Sequence, residues 1–408
     1  MMKRREVIKN LSVLPVAGAV IGSTMPFEMA KASPSSTPPP KRDLFRELGI
    51  RTFINAAGTY TAMTASLMPD EVKEAWISSS TQFAILDEVQ DKVGEKIAAI
   101  CHAEAATVTA GCYSALVLGT AGVLTGNDPK KAEQLPDLTG MKSEVITQKS
   151  HNQGYIHALT LTGIKLIEVE TVEDVEKAIN EKTAMMWFLN YAGPDGKIKD
   201  KEWVALGKKY RIPTMNYIAA DVPPVENLWK YNDMGFDLVC ISGGKGLCGP
   251  QSAGILMGKK DLISAARLSA PPRAITIGRG MKVNKEEIIG MYVALERYIN
   301  TDHDKEWREW EDRVAIIESS AKKVPGVTTL VTVPPVANHT PSINISWDIN
   351  KVKVTRDEFQ ERLRKGNPSI EVMGGKDNSV NLTVFMLKPG QDKIVASRIQ
   401  EELKKASA

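Results

Sequence analysis

The sequence has little of the two residue types that most often bind transition metals or form covalent cross-links. It contains five histidines and four cysteines in 408 residues. No pair of cysteines shows the CxxC or Cys/His spacing that is typical of a zinc site. We therefore predict no metal site, and we expect free thiols that are structural or that line a site. The cysteines are Cys101, Cys112, Cys240 and Cys248.

A strong excess of charge of one sign is also absent. The chain has 52 basic and 49 acidic residues, which gives a formal net charge of +3. Residues 1–32 carry five of the basic and two of the acidic residues, so their removal would lower the net charge to 0. A neutral protein lacks the positive field that attracts a nucleic acid backbone. We predict a small-molecule substrate and no nucleic acid partner.

No apolar run approaches the roughly 20 residues that a membrane-spanning helix needs. The start of the chain instead places Arg4 and Arg5 before a short apolar stretch, an arrangement typical of a twin-arginine export signal. Ala30-Lys31-Ala32 offers a cleavage site between small residues, and residues 33–42 resemble a Pro/Ser-rich linker. We predict that residues 1–32 are removed and that the mature protein is periplasmic or extracytoplasmic, with no stable membrane span.

The remaining chain has the composition of a globular protein and is long enough for two domains. After an N-terminal segment, 43–65, strand and helix patterns alternate, as in "KLIEVE", "VEDVEKAINE" and "AMMWFLNY". This alternation predicts βαβ units and a large α/β domain over 66–270 with a mostly parallel, doubly wound sheet. After Pro271-Pro272, a long helical run followed by "SINISWDI" and "SVNLTVFML" predicts a smaller α+β domain over 271–408.

The glycine-rich stretch "CISGGKGLCGPQSAG" contains one charged side chain, Lys245, directly after the apolar strand pattern "FDLVCIS". Ligands of open parallel sheets bind at the carboxyl ends of strands. An amine there can form a Schiff base with a carbonyl substrate or with pyridoxal phosphate. A second loop, "VTAGCYSAL", leads into a helix whose free N–H groups can hold a phosphate. A solvated loop lysine and ordinary helix capping are the alternative interpretations.

The chain resembles a known family over nearly all of its length after the predicted export signal. It is similar to the selenocysteine synthase-like, or D-glucosaminate-6-phosphate ammonia lyase-like, family of fold-type I pyridoxal-phosphate enzymes. The resemblance implies a fold-type I, transferase-like α/β fold and pyridoxal 5'-phosphate as cofactor. It also implies a homodimer or higher homo-oligomer, and it makes Lys245 the residue that forms the internal aldimine and acts as general base. Six ordered blocks carry it: "LGIRTFINAAGTYT", "SLMPDEV", "AEAATVTAGCYSAL", "SHNQGYIHAL", "ISGGKGLCGPQSAGIL" and "GRGMKVNKEEIIGMYVALERYI".

The same resemblance implies roles for residues of the two loops. Gly111, Cys112 and Tyr113 would bind the cofactor phosphate, and Ser242 would add a hydroxyl group to that site. His151 corresponds to a position near the cofactor ring, where an imidazole can stack or transfer protons. A hydrogen-bonded structural histidine is the alternative.

Two further residues are candidates for substrate binding. Asn55 could line the substrate entrance, or it could cap a turn. Arg279 lies where a cation could meet an anionic substrate or the cofactor phosphate of a neighbouring subunit, or it could be a surface charge.

Two positions depart from the family pattern. Tyr217 stands where relatives carry an aspartate that pairs with the pyridine nitrogen of the cofactor. A phenol, whose pKa is near ~10, can donate a hydrogen bond but cannot hold a proton on that nitrogen by charge. Asp221, four residues later, could take over this role. Met373 stands where relatives often carry an arginine, which suggests a different substrate or reaction.

These features predict an exported pyridoxal-phosphate-dependent lyase that acts on an amino acid or an amino sugar acid. Elimination of a β-leaving group with release of ammonia, with Lys245, His151 and Tyr217 as catalytic candidates, is the reaction that the resemblance favours. Racemisation, aldol cleavage and transamination remain open, because the cofactor supports all of them. A catalytically degenerate binding protein of the same fold is the competing interpretation.

Overall fold

The computed structural model describes residues 42–407. The predicted export signal and residues 33–41 of the linker lie outside the described residues. Within residues 42–51, a short helix, α1 (Leu44–Glu47), begins at Asp43, whose side chain accepts a hydrogen bond of 3.1 Å from the backbone N–H of Arg46. Residues from Thr52 onward form a second compact unit.

That unit contains a seven-stranded sheet and a four-stranded sheet, together with one short parallel pair of strands. The strands are β1 (Ile54–Asn55), β2 (Ala105–Thr109), β3 (Glu144–Gln148), β4 (Lys165–Val169), β5 (Thr183–Leu189), β6 (Thr214–Tyr217), β7 (Leu238–Ser242), β8 (Gly254–Gly258), β9 (Val327–Thr332), β10 (Ser342–Trp347), β11 (Ile370–Glu371), β12 (Met373–Gly374) and β13 (Ser379–Thr383).

The helices of this unit connect the strands and pack against the larger or the smaller sheet. They are α2 (Asp70–Ser80), α3 (Leu86–Ile100), α4 (Gly111–Thr125), α5 (Pro129–Gln134), α6 (His157–Thr160), α7 (Val172–Ala178), α8 (Asp200–Tyr210), α9 (Asn227–Met234), α10 (Lys260–Leu268), α11 (Lys285–Ile299), α12 (His303–Ala321), α13 (Arg356–Lys365) and α14 (Gln391–Ser407). Short 3-10 helices lie at Thr61–Met63, Lys149–His151, Gly154–Ile156 and Asn190–Ala192.

The larger sheet has the strand order β2-β8-β7-β6-β5-β3-β4. Its pairs from β7 to β4 are parallel, whereas β8 is antiparallel to both β7 and β2. Along β5, which is buried throughout, Met185 and Trp187 face one apolar core, and Met186 and Phe188 face the other. A strand buried on both faces is apolar at every position, which explains the run "AMMWFL". The predicted mostly parallel, doubly wound α/β fold is confirmed.

The smaller sheet is antiparallel, with the order β12-β13-β10-β9. Alternate residues of its strands, such as Ile343 and Ile345 in β10, are buried in a separate core that includes residues of α12, α13 and α14. The predicted smaller α+β part is therefore present. The long helix α11 contributes Ile288, Met291 and Leu295 to a core of the larger sheet. No helix within residues 42–407 is long and apolar enough to cross a membrane.

Candidate active site

Lys245 lies in the turn that follows β7 and is half-buried. Burial lowers the pKa of its amine from the ordinary value of 10.5, because a low-dielectric environment disfavours the ammonium ion. Interactions with Cys112 and Asp221 oppose that shift. Lys245, the first turn of α4 and the segment after β6 therefore form one cluster.

The glycines around Lys245 permit close approach of neighbouring backbone. A Cβ atom at Gly246 would lie 2.1 Å from the carbonyl oxygen of Val222, and a Cβ atom at Gly244 would lie 2.6 Å from Cα of Gln251. Neither glycine has a positive φ angle. The turn therefore needs glycine for space, and it presses Lys245 against the segment that carries Asp221.

The start of α4 lies next to this turn because Gly254 of β8 pairs with Thr109 on one side and with Ser242 on the other. A Cβ atom at Gly254 would lie 2.7 Å from the backbone nitrogen of Cys112. Gly111 has a φ angle of +77°, a left-handed conformation that favours glycine, and it begins the helix. The structure thus brings together the predicted phosphate-binding residues Gly111, Cys112 and Ser242, with Tyr113 partly exposed beside them.

Tyr217 ends β6 and is 4% exposed. Its ring centroid lies 5.1 Å from that of Tyr155. Burial, followed by the neighbouring Cys112, Tyr155 and Cys240, raises the pKa of its phenol well above the ordinary value. Tyr217 is therefore a neutral hydrogen-bonding group within the Lys245 cluster.

Asp221 is 2% exposed and accepts a hydrogen bond from the side chain of Asn190. Burial raises the pKa of its carboxyl to about 6, although the bond from Asn190, a backbone bond from Ala337 and the charge of Lys245 all act against this shift. Asp221 also lines a cavity of about 370 Å³. Tyr217 and Asp221 both lie in the Lys245 cluster, and which of them meets a cofactor ring stays a prediction.

His151 is fully buried and holds two strand ends together. Its Nδ1 accepts a hydrogen bond of 3.2 Å from the backbone N–H of Leu189, and its ring lies edge-on to Phe188 at 4.5 Å. Burial lowers the pKa of the imidazole to about 4. His151 is not among the residues that line the Lys245 cavity, and its role at the cofactor stays a prediction.

The two predicted substrate-binding residues occupy different environments. The Oδ1 atom of Asn55 accepts hydrogen bonds from the backbone N–H groups of Ala57 at 3.0 Å and Gly58 at 3.2 Å. Asn55 thus caps a turn whose residues line the Lys245 cavity. Arg279 is exposed and does not line that cavity.

A cavity of about 520 Å³ opens at Lys245. It is lined by the loop 57–61, by Tyr155, and by residues of β9, β10, β12 and β13, including Met373. Neither Tyr155 nor the polar residues of the smaller sheet were among the site residues predicted from the sequence. The available signal was the alternation in "SINIS" and "SVNLT", which shows that one face of each strand is polar.

No group of three or more His, Cys, Asp or Glu side chains within residues 42–407 is arranged to hold a metal ion. The four cysteines are free thiols.

Comparisons with known proteins show which proteins the chain around this cluster resembles. The model of the L-seryl-tRNA selenium transferase family matches residues 157–308, a range that contains Tyr217, Asp221 and Lys245. D-glucosaminate-6-phosphate ammonia lyase of Salmonella typhimurium (strain 14028s / SGSC 2262) is 28% identical over 267 residues, which are 63% of this chain and 70% of the relative.

Two more matches extend over most of the chain. 5'-C-glycyluridine monooxygenase-decarboxylase of a Streptomyces species is 24% identical over 374 residues, 88% of this chain and 92% of the relative. A solved structure of D-glucosaminate-6-phosphate ammonia-lyase has a TM-score of 0.78 at 22% identity and covers 90% of this chain and 100% of its own. The chain is therefore similar in sequence to L-seryl-tRNA selenium transferases and to D-glucosaminate-6-phosphate ammonia lyase, as the sequence analysis predicted, and it has the fold of fold-type I enzymes.

Proposed function

We propose that the protein is an exported pyridoxal-phosphate-dependent lyase that releases ammonia from an amino acid or an amino sugar acid. The observation that carries the proposal is the amine of Lys245, which has a lowered pKa and opens into a cavity at the carboxyl ends of parallel strands. The similarity to an ammonia lyase supports the choice of reaction.

The residues around Lys245 fit this cofactor. The start of α4 offers backbone N–H groups that have no acceptor within the helix, and such groups bind phosphate. Gly254 leaves the backbone of Cys112 uncovered, because a Cβ atom there would clash with it. Gly111, Cys112, Tyr113 and Ser242 would hold the phosphate.

Lys245 would bind the cofactor covalently, since the neutral amine that its lowered pKa favours is the nucleophilic form. Bound pyridoxal phosphate supplies an electron sink for the electron pair left at the α-carbon of the substrate. When its amine is free, Lys245 can accept the α-proton at neutral pH.

The two ionisable groups near Lys245, Asp221 and Tyr217, differ in whether they can release a proton near neutral pH. Asp221, with a pKa of about 6, can exchange a proton with Lys245 near neutral pH. Tyr217 keeps its proton and can only donate a hydrogen bond.

The proposed reaction has two stages. The substrate first loses its α-proton and a β-hydroxyl group as water, which leaves an enamine. One water molecule then hydrolyses the imine form of that enamine to a 2-oxo acid and ammonia.

We also propose that residues 1–32 direct export and that the protein is a homodimer or a higher homo-oligomer. The pair Arg4-Arg5 and the site at Ala30-Lys31-Ala32 support export. The resemblance to the family supports the dimer. Closed symmetric dimers are also the commonest assemblies of identical chains.

One experiment tests both the reaction and the export. The full chain is expressed in a bacterial host, and ammonia release from D-glucosaminate and its 6-phosphate is measured in the cytoplasmic and periplasmic fractions after addition of pyridoxal phosphate. We expect activity in the periplasm for the wild type. Lys245→Ala should lower it by more than about 1000-fold, since the nucleophile is lost. Lys260→Ala, which changes an exposed lysine outside the cavity, is the control.

Replacement of Arg4 and Arg5 by lysine should keep the activity in the cytoplasmic fraction. Activity in the periplasm of that double variant would contradict export by this signal and leave the reaction unaffected. Unchanged activity of Lys245→Ala would contradict the reaction. Absence of both cofactor binding and activity in the wild type would favour the binding-protein alternative.

A further inference from the structure

One face of the smaller antiparallel sheet carries neutral polar side chains. In β10, Ile343 and Ile345 point into the core, so Ser342 and Asn344 lie on the opposite face. In β13, Val380 and Leu382 are buried, so Asn381 and Thr383 lie on that same opposite face. The register places Ser342 opposite Thr383 and Asn344 opposite Asn381.

This polar face forms a wall of the Lys245 cavity. All four of its paired residues line the cavity, and so does Met373, which pairs with Asn381 from the edge strand β12. Among the lining residues, all of which belong to the described chain, Lys245 is the only lysine, arginine, histidine, aspartate or glutamate. Under the proposed function, Lys245 binds the cofactor and is therefore not available to pair with a phosphate group of the substrate.

The amides on this wall are oriented and can still bind a ligand. The Nδ2 atom of Asn344 donates a hydrogen bond of 2.8 Å to Oδ1 of Asn381. This bond fixes both amides and leaves Oδ1 of Asn344 as an acceptor and Nδ2 of Asn381 as a donor without a partner among residues 42–407. A neighbouring acceptor and donor of this kind suit a hydroxyl group, which can donate and accept at once.

Two tyrosines, Tyr60 and Tyr155, also line the cavity. Tyr60 is 49% exposed and Tyr155 is 48% exposed, so neighbouring residues leave part of each side chain uncovered. Neutral hydrogen-bonding groups opposite exposed aromatic faces suit a molecule that has both hydroxyl groups and C–H faces. A dianionic phosphate group would instead lose hydration, and the residues that line the cavity offer it no cationic side chain other than Lys245.

We propose that the substrate is a polyhydroxylated amine that carries no phosphate group, such as an unphosphorylated amino sugar acid, with its hydroxyl chain against the wall of Ser342, Asn344, Asn381 and Thr383. This inference rests on the proposed function for the position of the reacting amine. It separates this protein from the relative whose name specifies a 6-phosphate.

The test compares two ligands that differ only in the phosphate group, D-glucosaminate and D-glucosaminate 6-phosphate. Binding to the purified protein, supplied with pyridoxal phosphate, is measured by isothermal titration calorimetry, and the visible absorbance of the same sample is recorded. We expect the unphosphorylated ligand to bind at least about tenfold more tightly, because the phosphate would be desolvated without a partner.

Variants of the wall should change this preference. Asn344→Leu should weaken the binding of D-glucosaminate about tenfold, which is the effect of losing one or two neutral hydrogen bonds. Asn381→Arg should reverse the preference, because an arginine can bind the phosphate by two hydrogen bonds. Ser346→Ala is the matched control, since Ser346 lies on the same face of β10 but does not line the cavity.

The outcomes separate this inference from the proposed function. Equal or tighter binding of the 6-phosphate by the wild type, or binding of neither ligand, would overturn the inference even if the protein shows a Lys245-dependent absorption band. Tighter binding of D-glucosaminate by a wild type without such a band would uphold the polar site and overturn the cofactor assignment. Melting curves of each variant show whether a loss of binding reflects unfolding.

Discussion

At the scale of single residues, burial determines the charge of the groups around Lys245. It lowers the pKa of the Lys245 amine, raises that of the Asp221 carboxyl to about 6, and raises that of the Tyr217 phenol. Each shift favours the neutral form. A lysine whose pKa is lowered toward neutrality has more of its amine in the neutral form, which is the form that can act as a general base.

His151 yields a prediction about stability. Its pKa falls from 6.5 in an exposed environment to about 4 in the fold, chiefly through burial. The unfolded chain therefore takes up a proton at a higher pH than the folded protein does, and the fold loses stability as the pH falls from about 6.5 to 4. The full loss corresponds to about 3 kcal/mol.

Urea unfolding of the wild type and of His151→Gln at pH 7 and pH 4 measures this loss. The wild type should lose about 3 kcal/mol more than the variant does over that interval. Equal losses would show that folding does not lower the pKa of His151.

The sequence predicted the surroundings of Lys245 better than it predicted those of His151. An apolar strand followed by glycines and one lysine is a local pattern in the sequence. In the structure, this whole segment stays together, as β7 and the turn that follows its carboxyl end. The environment of His151 depends on Leu189 and Phe188, which are distant in sequence. No local block shows whether an imidazole faces a cavity or a neighbouring strand.

At the scale of elements, the turn after β7 works by close backbone contact. Gly246 leaves too little room for a Cβ atom beside Val222, and the same contact fixes the turn against the segment that carries Asp221. The position of the lysine thus depends on two segments that approach more closely than side chains would permit.

Replacing Gly246 by alanine tests this contact. The added methyl group would lie 2.1 Å from the Val222 carbonyl oxygen, so the turn must shift, and we expect a loss of about 1–3 kcal/mol in the free energy of unfolding. Urea unfolding and pyridoxal phosphate affinity should both report the shift. Gly280→Ala is the control, since nothing lies within 4 Å of a Cβ atom at Gly280. Equal stability of the two variants would refute the role of close contact.

In the smaller sheet, the strands can be predicted from the sequence but the register between them cannot. The strand patterns of β10 and β13 are legible in the sequence, but the pairing of Asn344 with Asn381 depends on register. A register shift of one residue would turn the polar side chains into the core. Only the assembled sheet shows that these residues form one uncharged wall.

At the scale of the whole molecule, the doubly wound fold followed from the alternation of strands and helices, whereas the strand order did not. The antiparallel entry of β8 between β7 and β2 places Ser242 and Thr109 on either side of Gly254, and that arrangement joins the two predicted loops into one site. Contacts between strands far apart in sequence are set by packing, which a single sequence does not display. The resemblance to a known family, and not the periodicity of the sequence, predicted that the two loops form one cofactor site.

The central claim is that Lys245 carries the cofactor, and reduction of the protein with borohydride after addition of pyridoxal phosphate tests it most directly. Digestion and mass spectrometry then locate the pyridoxyl group. We predict about one group per chain, on the peptide that contains Lys245, and no specific label in Lys245→Ala. Label spread over surface lysines, or an equal yield in the variant, would contradict the assignment of the active site.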